Sequence, residues 1–333
     1  MKVLITGGMG FIGSNFIRHY LDRHEEARIV NVDALKYGSN PENLRGLEED
    51  ERYSFVEGDI SDRRLMAQLV EGAEAVVNFA AETHVDRSIS GPEPFLASNV
   101  LGTFSILEAL RTRNPGARLV HISTDEVYGD ALVGSFPETG ALRPSSPYSA
   151  SKASADLFVS AYARTYGLSA MITRCTNNYG PRQFPEKLIP KAIIRILRSL
   201  KVPIYGTGTN VRDWICVMDH CRAVETVLEK GEAGEVYNVS SGEEKTNLAV
   251  VRTILEIMGM DETAIEFVED RPGHDVRYSL DSSKIQRELG WRPERSFTEG
   301  MEETVRWYVE NSVWWRPLAD DRVLHPTPWK LEW

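Results

Sequence analysis

Thr124, Asp125 and Glu126 stand together, and Tyr148-x-x-x-Lys152 begins 22 residues after Glu126. Tyr148 and Lys152 are four apart, so on a helix they share a face. A phenol in water has a pKa near ~10 and is a poor base at neutral pH. A cation beside it favours the phenolate and lowers that value. The pair therefore reads as a base for a sugar or alcohol hydroxyl, with Lys152 expected to acidify Tyr148. Oxidising an alcohol needs little more. Two further carboxyls beside Thr124 point to a second proton transfer, such as elimination of water. Each feature alone also fits an ordinary helix face or a surface acid pair. What joins them is their position behind a nucleotide-binding start.

That start must position them. Residues 2–6 form a short apolar run that reads as a buried strand, and it enters Gly7-Gly8-Met9-Gly10-Phe11-Ile12-Gly13. Gly7, Gly10 and Gly13 are spaced three apart, the G-x-x-G-x-x-G form of a dinucleotide loop. Glycine allows a close approach of backbone to pyrophosphate, and the following helix N-terminus attracts the anion. The next strand, 28–33, ends in Asp33, 20 residues after Gly13. An acid at that distance suits the adenosine ribose hydroxyls and repels a 2′-phosphate, so NAD is expected over NADP. A turn-capping aspartate is the alternative. Ser146 and Pro147 suit an N-cap and first helical position, which starts a helix just before Tyr148.

Strand-like and helix-like patterns alternate through the first half of the chain. Candidate strands lie at 2–6, 28–33, 53–57, 75–80, 117–123 and 168–173; candidate helices lie at 11–24, 62–71, 95–113 and 147–166. This predicts an α/β fold with a doubly wound parallel (Rossmann) sheet, whose ligands lie beyond the strand carboxyl ends. Asp33, Asp59, the Ala80-Ala81-Glu82-Thr83 segment and Thr124-Asp125-Glu126 all fall at such ends, which argues for one shared site. After about residue 175 the elements shorten. Residues 1–175 are expected to form the NAD-binding domain and 176–333 mainly a smaller substrate region interleaved with the sheet. The tail from Trp314-Trp315-Arg316-Pro317 to Trp333 reads as terminal packing, with a wall of the substrate pocket as the alternative.

Composition limits the partners. The 333 residues are 42% apolar and carry a net charge of −11 without a basic stripe, so nucleic acid is not expected as a partner. Cys175, Cys216 and Cys221 have neither C-x-x-C spacing nor a histidine cluster, so neither a metal site nor a disulfide framework is expected. Reduced cytoplasmic thiols fit better. Met1 leads straight into a strand, which leaves no room for a signal peptide. No apolar run reaches the ~20 residues of a membrane span.

With these residues in hand, the chain resembles the extended short-chain dehydrogenase/reductase superfamily and, within it, the dTDP-glucose 4,6-dehydratase family. The superfamily marks are the glycine loop and Tyr148-Ser-Ala-Ser-Lys152. More specific are Ala81-Glu82-Thr83-His84-Val85-Asp86-Arg87-Ser88, Ser123-Thr124-Asp125-Glu126-Val127-Tyr128-Gly129, Asn177-Asn178-Tyr179-Gly180-Pro181, Phe184-Pro185-Glu186-Lys187-Leu188-Ile189-Pro190, Arg212-Asp213-Trp214 and Arg271-Pro272-Gly273-His274-Asp275. The resemblance implies that Gly7, Gly10, Phe11, Ile12, Gly13, Asp33, Asp59, Ile60, Ala80, Ala81, Glu82, Thr83, Tyr148, Lys152 and Asn178 line NAD. Thr124 is implied to bond the sugar C4 hydroxyl. Thr83, Asn177, Lys187, Leu188, Pro203, Tyr205, Arg212, Asn247, Arg271 and His274 are implied to face the rest of the sugar nucleotide. The arginine fork suits phosphate oxygens, a surface ion pair being the plain alternative for each. Helices 95–113 and 147–166 are implied to pair two copies into a homodimer.

The chemistry so implied is redox-neutral, an early step of deoxysugar synthesis such as that of dTDP-rhamnose. Tyr148 takes the C4 hydroxyl proton as C4 gives hydride to NAD. Glu126 takes the C5 proton, protonated Asp125 donates to the leaving C6 hydroxyl, and hydride then returns to C6 as C5 is reprotonated. That role needs a raised Asp125 pKa. A nucleotide-sugar 4-epimerase or decarboxylase is the rival within the superfamily, and Asp125-Glu126 discriminates against it because epimerisation needs no C5 deprotonation. An NAD-binding regulator is the rival outside enzymes; it has no need for Thr124, Tyr148 and Lys152 together.

Overall fold

The computed structural model describes residues 1–331; Glu332 and Trp333, the end of the tail, lie outside the described residues. The strands are β1 (Lys2–Thr6), β2 (Arg28–Asp33), β3 (Tyr53–Glu57), β4 (Ala75–Asn78), β5 (Arg118–Thr124), β6 (Ala170–Cys175), β7 (Asn177–Tyr179), β8 (Val202–Tyr205), β9 (Val211–Cys216), β10 (Val236–Val239), β11 (Glu244–Thr246) and β12 (Ile265–Val268). The helices are α1 (Phe11–Arg23), α2 (Arg63–Val70), α3 (Val85–Ser90), α4 (Glu93–Phe95), α5 (Thr103–Arg113), α6 (Pro147–Tyr166), α7 (Leu188–Leu197), α8 (Val217–Lys230), α9 (Asn247–Ile257), α10 (Ser283–Leu289), α11 (Phe297–Glu310) and α12 (Ser312–Trp315).

Seven strands form one parallel sheet in the order β10-β6-β5-β4-β1-β2-β3. The chain winds outward from β1 through β2 and β3, then outward on the other side from β4 through β5 and β6. The order therefore reverses between β1 and β4, which opens a crevice at the carboxyl ends there. The central strands are apolar on both faces because helices cover both. One face meets α1 and α8 through Phe16, Ile17, Tyr20, Val224 and Val227. The other meets α2, α5 and α6 through Met66, Ile106, Leu110 and Val159. A separate core joins α7, α9 and α11 through Ile193, Val251, Ile254, Met301 and Tyr308, and closes on Trp315. The small sheet β11-β9-β7 starts immediately after β6 and brings Asn177 and Arg212 onto neighbouring strands.

The doubly wound parallel sheet is the one the alternation predicts. Element bounds differ where tertiary contacts decide them. The strand expected at 75–80 ends at Asn78, because Phe79 to Thr83 leave the sheet to line the crevice. The strand expected at 168–173 is shifted to Ala170–Cys175 by its pairing with β5 and β10. The helix expected at 95–113 begins at Glu93 and carries a π-helical stretch, Leu96–Gly102. Inserted π turns re-aim side chains. Here the turn points Asn99 at Glu82, whose N–H it accepts at 2.8 Å and whose carbonyl it meets at 3.0 Å. Ser146 caps α6 through a reciprocal box with Ser149, and Pro147 occupies the first turn. No helix among the described residues is long and apolar enough to cross a membrane.

Gly7 illustrates how tightly the loop is built. Its φ is +70°, and a Cβ there would lie 2.6 Å from the Ala80 backbone nitrogen. A left-handed conformation and a clash with rigid backbone both oppose any side chain. Gly7→Ala is expected to cost ~1–3 kcal/mol of stability and to weaken dinucleotide binding. Denaturant unfolding and cofactor titration check this; an alanine variant matching the parent in both would contradict it.

Candidate functional site

The crevice is lined by the carboxyl ends of β1, β2, β4, β5 and β6 and the loop that follows β3. It contains Gly7, Gly10, Phe11, Ile12 and Gly13 from the loop after β1, Asp33 from β2, and Asp59 and Ile60 from beyond β3. Ala80, Ala81, Glu82 and Thr83 follow β4, Thr124 ends β5 with Asp125 and Glu126 just beyond it, and Tyr148 and Lys152 come from α6. Asn177, Asn178 and Lys187 complete it.

Backbone geometry fits the loop for an anion. A Cβ on Gly13 would stand 2.5 Å from the Gly7 carbonyl, so only glycine lets α1 start so close to β1. Asp33 is held rigidly: it accepts from the Met9 N–H at 2.9 Å, the Leu35 N–H at 2.9 Å and the Ser39 hydroxyl at 2.8 Å. Lys36 closes on Asp59 at 2.6 Å. Asn178 is fixed from behind, its amide donating to the Thr176 carbonyl at 3.0 Å while its oxygen meets His220 Nδ1 at 2.9 Å.

Electrostatics at the other end are set by burial. The Thr124 hydroxyl donates to Asp125 Oδ1 at 3.1 Å and accepts from the Glu126 N–H at 3.3 Å. Asp125 Oδ2 is buried without a hydrogen-bond partner. Burial, then the charge of Glu126, pushes the Asp125 carboxyl up from about 3.8 to about 8, against the opposing pull of Thr124 and Arg212. Burial also raises Glu126, while Arg271, Arg212 and Lys187 pull it down. Tyr148 is raised well above its ordinary value, first by burial and then by Glu126. This differs from the acidified Tyr148 that the sequence spacing predicts. Lys152 shares the helix face as expected, but its ammonium donates to the Ile122 carbonyl at 2.6 Å. Burial lowers Lys152 itself to about 8.

Leu188, Pro203, Tyr205, Arg212, Asn247, Arg271 and His274 lie beyond the crevice lining. Several gather beside it. Arg271 pairs with Asp86 at 2.8 Å, and His274 meets Asp270 at 2.7 Å. Tyr205 stands edge-on to His274 at 6.4 Å between ring centres. Arg212 donates to the Asp275 carbonyl at 2.9 Å and covers the Tyr278 ring at 4.3 Å. Leu188 opens α7, Pro203 pairs with Glu266 in the β8–β12 ribbon, and Asn247 opens α9. The sequence reading missed Lys36, Tyr37, Ser98, Cys175 and Glu186, which also line the crevice. Lys36 and Tyr37 lie just past Asp33, so the ribose loop was a visible signal. Ser98 was hidden because a helical pattern gives no sign of a π turn. Away from the crevice, His24, Glu225 and Glu229 set ligand atoms within 4.8 Å of one another, but Glu225 is already engaged by His19 at 2.8 Å.

A doubly wound sheet with a glycine loop at its first turn, an acid closing its second strand and a Tyr-x-x-x-Lys helix over the crevice defines a short-chain dehydrogenase/reductase. The family model described as GDP-mannose 4,6 dehydratase matches residues 4–304, and the chain belongs to that family. It is 50% identical over 320 residues to a dTDP-glucose 4,6-dehydratase of Actinoplanes sp., covering 95% of this chain and 100% of that one. It is 52% identical over 309 residues to the low-salt glycan biosynthesis protein Agl12 of Haloferax volcanii, covering 93% and 99%. The crystal structure of the dTDP-glucose 4,6-dehydratase DesIV of Streptomyces venezuelae with NAD bound superposes with a TM-score of 0.94 at 49% identity, covering 96% of this chain and 100% of that chain.

The shifted Asp125 makes a stability prediction. Its folded pKa lies above its unfolded one, so folding opposes ionisation. The cost is absent below about 3.8 and grows as pH rises through about 8. Asp125→Asn removes it and is expected to gain on the order of 1–3 kcal/mol over the parent between acid and mildly alkaline pH. Unfolding curves across that window check this, and a difference that does not change with pH would contradict it.

Proposed function

We infer that this chain is a dTDP-glucose 4,6-dehydratase that converts dTDP-glucose to dTDP-4-keto-6-deoxyglucose with NAD. The observation that carries the reading is the carboxyl pair Asp125-Glu126 facing the same crevice as Tyr148. Oxidation at C4 alone, or epimerisation there, uses only the phenol and gives those two acids no task.

The crevice fits the cofactor. The Gly7–Gly13 loop leaves space that any Cβ would fill, and Asp33 is anchored where an adenosine ribose ends. Residues 1–175 hold NAD, and 176–333 mainly hold the sugar nucleotide, although α8 and β10 return to the main sheet. Held by the Gly7–Gly13 loop and Asp33, NAD would supply a hydride acceptor for C4 and a hydride donor for C6 of the same sugar. Thr124 orients the C4 hydroxyl, and Tyr148 takes its proton as the phenolate, which the Lys152 charge one helical turn away favours against the burial that opposes it. The resulting 4-ketone acidifies the C5 proton, which Glu126 removes, and C5 is reprotonated once C6 has been reduced. Asp125, protonated at neutral pH, donates to the departing C6 hydroxyl. Raised carboxyl values make one group a competent acid and the other a stronger base than a free carboxylate. Arg212, Arg271 and Lys187 bind the diphosphate, with Leu188, Pro203, Tyr205, Asn247 and His274 around the remainder.

The protein works as a cytoplasmic homodimer without nucleic-acid or membrane partners. Exposed Leu96, Leu101, Leu157 and Phe158 on the π turn and α6 support pairing of two copies through these helices.

Three measurements test the reading. With dTDP-glucose, mass loss of one water is expected without lasting NADH absorbance, and deuterium placed at C4 should appear at C6 of the same molecule. Stoichiometric NADH, or loss of the label to solvent, would contradict the reading. Glu126→Gln is expected to slow elimination by ~10²–10⁴-fold while sparing oxidation, so reduced cofactor should accumulate on the enzyme. Dehydration at the parent rate would remove Glu126 from the C5 step. Asp33→Ala is expected to weaken NAD and soften discrimination against NADP in binding titrations; equal affinity of the parent for both would remove Asp33 from the ribose site.

A further inference from the structure

Behind Lys152 lies a buried polar chain that the mechanism above does not use. His121, on β5, is fully buried. Its Nε2 lies 3.4 Å from Lys152 Nζ and 3.8 Å from Asp156 Oδ1. Its Nδ1 lies 3.0 Å from the Asn78 amide nitrogen. Asp156 is one helical turn beyond Lys152 on α6. Its Oδ2 accepts from Arg174 Nε at 2.8 Å, while Oδ1 is buried without a hydrogen-bond partner.

The hydrogen-bond network points to one histidine tautomer. The Ala80 N–H donates to the Thr6 hydroxyl at 3.2 Å, so that oxygen is the acceptor there. The Thr6 proton is then free for Asn78 Oδ1, 2.6 Å away. This turns the Asn78 amide nitrogen toward His121, where it donates to Nδ1. A neutral imidazole that accepts at Nδ1 carries its proton on Nε2. The Nε2–H then points at Lys152 and at the vacant oxygen of Asp156. Two donors face each other across 3.4 Å, and the Lys152 ammonium keeps a single close acceptor, the Ile122 carbonyl. The Ala80 end of the chain lies in the crevice itself.

We propose that His121, held as its Nε2–H tautomer by Thr6 and Asn78, and Asp156 are positioning residues that set from behind where the Lys152 ammonium points and how readily it gives up its proton. The two act in opposite directions: the Nε2–H opposes the ammonium, and Asp156 attracts it. The other charged or titratable groups facing this pair are Arg174 and Cys175 on β6 and, on the crevice side, Tyr148. The idea rests on the proposed reaction only in that Lys152 serves Tyr148 there.

The test reads the pH dependence of C4 oxidation in single turnovers with dTDP-glucose. In His121→Leu the pH at which Lys152 loses its proton should rise, moving the alkaline limb up. In Asp156→Asn, which keeps an oxygen for Arg174, the limb should move down. His121→Gln restores an N–H near the Nε2 position and should return the limb toward the parent. Uniform loss of rate with no displacement of the limb, or displacement in the same direction in both variants, would overturn the proposal. Ring-nitrogen NMR of the unsubstituted, histidine-labelled enzyme decides independently of how the variants fold. His121 should stay neutral with its proton on Nε2 at neutral pH; a proton on Nδ1, which requires the flipped Asn78 amide, would overturn it. Failure of the parent to convert dTDP-glucose would count against the proposed function, and the NMR result would still judge the tautomer.

Discussion

Two carboxyls, a phenol and an ammonium share one poorly solvated crevice, and their charges cannot all be expressed there at once. Removing a lone charge from water is expensive, so each group moves toward its neutral form unless a partner holds it charged. Asp125 illustrates the outcome. Burial and then the like charge of Glu126 push the carboxyl up to about 8, and among the described residues its second oxygen has no hydrogen-bond partner. Burial raises Glu126 as well, but Arg271, Arg212 and Lys187 oppose that rise. Both carboxyls are thus raised by burial, and they differ in how many cations oppose the rise.

The sheet makes that sharing possible. Parallel strands place every carboxyl end on one edge, and reversal of strand order between β1 and β4 leaves a gap there. The two halves of the crevice are therefore supported by one rigid object. Thr6 shows the economy of this arrangement. It ends β1 beside the glycine loop, accepts from the Ala80 N–H in the crevice wall, and donates into the Asn78–His121 chain behind Lys152. Three hydrogen bonds thereby join the crevice wall to the groups behind the Tyr–Lys pair.

What could be read from the sequence was whatever depends on local pattern. The parallel sheet followed from alternation, Asp33 from its spacing after Gly13, and the start of α6 from Ser146 and Pro147. The strand ends were legible because short apolar runs mark them, and the residues expected at those ends line the crevice. What could not be read depends on three-dimensional neighbours. The π turn at Leu96–Gly102 leaves the helical periodicity intact while re-aiming Asn99 at Glu82. Spacing put Lys152 on the face of Tyr148, yet spacing does not say which acceptor an ammonium prefers, and the Ile122 carbonyl takes it. His121 looked like one more residue of an apolar strand.

The tail joins these two kinds of information. Its tryptophans were conspicuous in the sequence, and they divide in the structure. Trp315 donates to the Tyr308 carbonyl at 2.8 Å inside the core of α7, α9 and α11, and Trp314 donates to Asn43 at 2.8 Å beside α1. These contacts are packing: they tie the second core to the dinucleotide half. Trp329 lies elsewhere, edge-on to Tyr205 with ring centres 4.6 Å apart, and Lys330 beside it pairs with Glu269. Lys191 and Arg195 of α7 bind the tail's carbonyls at His325 and Leu324 and hold the intervening strap down. The same segment therefore begins as a clamp between cores and ends against the ring that also faces His274. Packing accounts for its first half, and in its second half Trp329 packs against Tyr205, outside the crevice lining.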